Sequence, residues 1–83
     1  MKITAHLELE HLLYDAIVQT NEAKRDLNDA ERNFFNSDKS HITENAIQFK
    51  DAKERLETAS MRLYELLTAQ KVIKELEEKG IEV

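Results

Sequence analysis

Two segments of this 83-residue chain repeat every seven positions, and within each repeat large and small side chains alternate. In the first, Leu13, Thr20, Leu27 and Phe34 recur at one heptad position, a, while Ala16, Ala23 and Ala30 hold position d. In the second, Ile42, Phe49, Leu56 and Leu63 form the a series, with Asn45, Ala52, Ala59, Leu66 and Ile73 at d. Positions a and d share one stripe of an α-helix, so the pattern calls for two helices that bury these stripes against something.

Between the segments lies Asn36-Ser37-Asp38-Lys39-Ser40, a cluster of side chains that compete for backbone hydrogen bonds and mark a turn. Folding the chain there into an antiparallel hairpin pairs a of one helix with d of the other, at residue numbers adding to 79. Ala30 then faces Phe49, Leu27 faces Ala52, Ala23 faces Leu56, Thr20 faces Ala59 and Ala16 faces Leu63. In all of these layers but the Thr20 one a large side chain meets an alanine, the volume matching that interdigitated packing requires. Small residues every seven positions also let the helices approach closely.

Composition supports the same architecture. One Gly, no Pro, 35% charged and 41% hydrophobic residues favour long uninterrupted helices over sheets with tight turns. The expected fold class is therefore all-α: a long antiparallel two-helix hairpin with a coiled-coil-like seam. The expected plan is one unit over residues 1–83, with helix 1 at about 7–36, a turn at 37–40, helix 2 at about 41–79 and a tail at 80–83. Ser40 is the expected N-cap of helix 2, with Ser37 as the competing choice and Glu44 in the favourable first turn. At the other end Lys79-Gly80-Ile81 fits a Schellman stop, with Gly80 left-handed and Ile81 folding back on Leu76.

Near the end distal to the turn the single seam deteriorates. Leu13 meets Leu66, but Leu9 would meet Gln70 and His6 would meet Ile73. Here apolar residues spread beyond a and d: Leu7, Leu12, Tyr14, Ile17 and Val18 on helix 1, and Tyr64, Leu67, Ala69, Val72 and Leu76 on helix 2. A hairpin sets these stretches side by side, which widens the apolar surface as an interface does. Tyr14 and Tyr64 fall at nearly the same height, and rings with polar tips suit an interface edge. Two helices alone bury too little to offset the ordering of some seventy residues, so a homodimer joined at the open ends into a four-helix bundle is expected. An obligate different partner on the same surface is the rival.

The first nine residues read differently. Ile3, Ala5, Leu7 and Leu9 alternate with polar neighbours, which is strand periodicity, and a short strand from about 2 to 8 would lie near Ile81–Val83. Extending the helical register backward instead places Lys2 at d and His6 at a, poor core residues both.

Several function classes are disfavoured. Twelve Lys plus Arg against seventeen Asp plus Glu give a net charge of −5, which opposes sequence-independent binding to nucleic acid or anionic membrane. The bases Lys24, Arg25, Arg32, Lys50, Lys53, Arg55 and Arg62 are interrupted by acids throughout, as in Asp51 with Arg55, an i,i+4 helix pair. Glu8 and His11 make one Glu-x-x-His step, half of what a di-iron bundle would need on each pair of helices. No triad assembles around His6, His11 or His41, and a hairpin offers little enclosed space for chemistry. No enzyme activity, cofactor or metal is expected. Without cysteine there is no disulfide framework or thiolate site; no apolar run approaches a membrane span, and the N-terminus lacks a signal-peptide pattern. Cytoplasm is the expected compartment.

The expected function is a non-enzymatic protein–protein interaction module, a small adaptor or inhibitor working as a hairpin dimer. A structural component assembling into larger bundles is the second reading, and a small nucleic-acid-binding regulator the third. Phe35 and Ile47 near the turn, and Met61, lie outside the seam as ordinary exposed apolar residues.

Overall fold

A computed structural model describes the backbone of residues 2–81 and the side chains of residues 7–81. Two helices make the fold: α1, Lys2–Phe35, and α2, Ile42–Glu78, packed along their length as an antiparallel hairpin. The Cα envelope is 62 × 16 × 13 Å, the dimensions of a single layer of two helices. Its radius of gyration is 18.5 Å, where a compact domain of this length would have about 12 Å. Every buried side chain therefore has to be covered by the opposite helix alone.

The seam follows the heptad register. On α1, Leu9, Leu13, Ala16, Thr20 and Ala23 are buried, followed by half-buried Leu27, Ala30 and Phe34. On α2, Ala52 and Leu66 are buried, and Phe49, Leu56, Ala59 and Leu63 are half-buried. The alternation has a simple cause. An alanine facing a leucine is roofed by it, while the leucine's own far side stays open to solvent because no third element covers it. The Thr20 hydroxyl lies 3.4 Å from the Ala59 carbonyl oxygen, in the layer whose numbers add to 79, and it donates at 2.7 Å to the Ala16 carbonyl one turn back. Thus the one polar residue in the middle of the seam is satisfied locally.

At the turn, Phe34 packs against Phe49 and Phe35 with ring centroids 5.6 Å apart in both pairs. Asn45, the polar d residue, spans the two helices: its amide nitrogen donates to the Ser37 hydroxyl at 2.7 Å and to the Asn33 carbonyl at 3.3 Å. It closes the seam where α1 leaves carbonyls unpaired by its own helix. Ile42 is exposed and contributes little to the a series.

Neither serine caps α2. The N-cap position is His41, and no side chain caps the helix; Asp38 Oδ1 instead accepts the His41 amide at 3.0 Å, inside the turn that leads into α2. Ser40 donates its hydroxyl to the same oxygen at 2.9 Å, and the His41 ring Nδ1 lies 2.8 Å from it. A carboxylate is the stronger acceptor, so it takes the amide and the serine supports it. Ser37 turns back instead to the Asn33 carbonyl at 2.7 Å. The far end of α2 matches the sequence reading: Gly80 has φ +80°, its amide donates to Glu77 and the Ile81 amide to Leu76, both at 2.9 Å.

The N-terminal strand does not form, because residues 2–8 are the opening turns of α1. An isolated two-stranded pair is marginal in water, whereas extending an existing helix adds a hydrogen bond for each residue fixed and needs no new nucleus. The layer of His6 with Ile73 and the residues Glu82 and Val83 lie outside the described side chains.

Candidate interaction surface

A hairpin of two long helices has two broad sides, each lined by the residues flanking the seam. On one side, grooves run past Phe34, Ala46, Phe49 and Lys53 near the turn, and past Leu9, Glu10, Leu67 and Lys74 near the open end. Beside the seam residues Phe34, Phe49 and Leu9, these grooves are lined from heptad positions e and b, as by Glu10 of α1 and Ala46, Lys53, Leu67 and Lys74 of α2. On the other side a groove of about 860 Å³ runs between Gln19, Glu22 and Asp26 of α1 and Arg55, Thr58 and Arg62 of α2, at positions g and c. The Arg55 guanidinium reaches the Asp26 carboxylate across it at 3.7 Å, both partners more than half exposed. Such a pair contributes little stability, but it marks which residues face one another.

The ten apolar residues expected at the open end divide between these sides. Leu7, Tyr14 and Ile17 of α1 and Tyr64 and Leu67 of α2 fall on the e/b side, all exposed. The two tyrosines keep 69% and 72% of their surface, so neither ring is used by the hairpin itself. Val18 and Met61 extend this patch around the outer edges of the two helices. Leu12 and Val72 are exposed on the g/c side, where Ala69 and Leu76 are half-buried next to the seam. Ala69 packs with Leu63 and Ile73 against the buried cluster of Leu9, Leu13, Ala16 and Leu66, while Gln70 is exposed. The expected layer of Leu9 with Gln70 is thus replaced: the seam drifts by one residue, which spares an amide from burial without partners.

Charge divides the same way. On the g/c side α1 carries Glu8, Asp15, Glu22, Asp26 and Asp29 and no base, and on α2 Arg55 and Arg62 stand among Glu44, Asp51 and Glu65. On the e/b side Lys24, Lys50, Lys53, Lys71 and Lys74 exceed Glu10, Glu31, Glu57 and Glu78 by one. The net charge of −5 therefore conceals an acidic side and a mildly basic one. The heptad letters carried this division in the sequence; reading the bases as one stripe and the apolar residues as one surface hid it.

In the turn, hydrogen bonds from the His41 ring and the Ser40 hydroxyl hold the Asp38 carboxyl below its ordinary value of 3.8. Among the described residues no three His, Asp or Glu side chains converge as metal ligands, and no helix is long and apolar enough to cross a membrane. Compared with protein-family models, curated proteins and solved structures, the chain shows no significant match.

Proposed function

We propose that this chain is a cytoplasmic, non-enzymatic protein–protein interaction module, a small adaptor or inhibitor, whose open-end apolar surface pairs two hairpins into a four-helix bundle. The observation that carries the reading is the exposed set of Leu7, Tyr14, Ile17, Tyr64 and Leu67 on one side of a single-layer molecule. Secondary-structure layers are stable when each apolar face is buried on another layer, and here only the narrow seam is. Aromatic residues joined to aliphatic neighbours are also the composition of interface centres. Pairing leaves the acidic sides outward, available to a further protein.

Ile17→Asp and Leu67→Asp test the reading. Each sets a charge in the patch without touching the seam, so both variants should stay helical by circular dichroism and sediment as single chains where the parent sediments as two. Unchanged mass in both would remove this surface as the contact.

The second reading, a component of larger assemblies, draws on the charge division. An acidic side on one copy attracts the basic side of the next, and such a face-to-back contact does not close on itself. Mass that keeps growing with concentration would favour it over the dimer.

A further inference from the structure

We propose that the two copies lie side by side in the same sense, turn beside turn, about a two-fold axis running along the hairpin, so that α1 of each packs on α2 of the other through the e/b side. This rests on the pairing reading above and adds its face, orientation and register.

The argument is the match between two stripes. On α1 the e/b residues recur at spacings of three and four from Leu7 to Phe35, and on α2 from Ala46 to Lys74, so each forms a second seam beside the first. In a lengthwise two-fold arrangement, residues with numbers adding to about 79 share a height, and those adding to 81 differ by about 3 Å of helical rise. At 81 most layers are complementary, the exceptions being Leu7 on the partner's Lys74 and Asn28 on the partner's Lys53. Tyr14 meets the partner's Leu67 and Ile17 meets the partner's Tyr64, which buries the apolar patch of each copy on the other. Glu10 meets the partner's Lys71, Lys24 the partner's Glu57 and Glu31 the partner's Lys50. Asn21 faces the partner's Ser60, and Phe35 faces the partner's Ala46, a large residue on an alanine as in the intrachain seam. No layer sets like charges together.

The opposite orientation does less. With the hairpins reversed and the patches overlapping, α1 lies on α1 and α2 on α2. Lys24 then falls opposite the partner's Leu7, two charge pairs form in place of three, Glu57 with the partner's Lys74 and Lys53 with the partner's Glu78, and residues from Asn28 to the turn are left uncovered. The same-sense pairing instead uses the full 62 Å length and 16 Å width of the hairpin, a face of roughly 1,000 Å² that reaches the ~800 Å² per partner of stable interfaces. It also turns both acidic sides outward, where they repel further copies, so the assembly stops at two.

The chain has no cysteine, so Lys39→Cys in the turn gives a single site for a spin label. In the same-sense dimer the two turns lie one helical layer apart, about 10 Å between layers, and the label pair gives a short distance by double electron–electron resonance. In the reversed dimer the turns stand at opposite ends, 62 Å or more apart. Charge exchange supplies the register. Lys24→Glu and Glu57→Lys should each raise the dissociation constant roughly five- to tenfold, since each places two repulsive pairs in the dimer, and the double variant should return to within about twofold of the parent. A dimer with distant turns, or single losses that the double variant does not repair, overturns this arrangement and leaves the pairing reading standing. A parent that stays a single chain overturns both.

Discussion

Ala52 has no surface open to solvent, although its helix has water on three sides, and the register in which numbers add to 79 sets Leu27 of the other helix opposite it. The same relation sets Ala16 opposite Leu63 and Ala23 opposite Leu56. Ala52→Leu would put two large side chains into one layer and force the helices apart there. The expected loss is roughly 1–3 kcal/mol, read from urea unfolding midpoints, even though the substitution adds apolar surface. A gain in stability would mean that the layers do not pair at 79. This register was readable in the sequence because volume matching is a rule between pairs, and several pairs in a row agreed on one number. The exchange of Gln70 for Ala69 was not, since it depends on slight drift of the seam over many turns, which a strict seven-residue count ignores.

Among the described residues, the turn carries the one group with a shifted ionisation. Asp38 ties the turn before α2 as a carboxylate that accepts the His41 amide, and its carboxyl sits below its ordinary value of 3.8 in the folded chain. A group lowered by folding stabilises the fold at every pH above its unfolded value and loses that contribution as pH falls through the folded one. The parent should therefore exceed Asp38→Ala in stability from neutral pH down to about 4. The charge-dependent part of the gap should then shrink in more acidic solution, as followed by urea midpoints across a pH series. A gap that is the same at acidic and neutral pH would show that the carboxylate's charge contributes nothing to the turn. The glycine stop of α2 was legible because left-handed backbone at a helix end has a strong residue preference. The start of α2 was harder to read, since Ser37, Asp38 and Ser40 are all competent caps, yet the tight turn uses all of them before the helix begins at Ile42. At the N-terminus the alternation from Met1 to Leu9 fits a strand only locally; the helix that follows makes continuation cheaper.

The whole molecule is a ribbon with a satisfied seam and two unlike sides. Among the described residues no buried side-chain polar atom lacks a partner, so the hairpin is internally consistent. What it lacks is a second layer. The apolar side chains around Tyr14 and Leu67 are exposed on the side where charges nearly balance, and the excess of acids lies on the other. Their location at the open end was visible in the sequence; their division between two sides was not, until the antiparallel geometry set positions e and b of both helices together. If a second copy supplies the missing layer, folding and pairing are linked, and apparent stability rises with protein concentration. The most direct test is the native mass of the parent chain by light scattering over a hundredfold range of concentration, with helicity recorded at each point. The account predicts a mass of two chains with high helicity, dissociating only at the dilute end. A helical single chain throughout would contradict it.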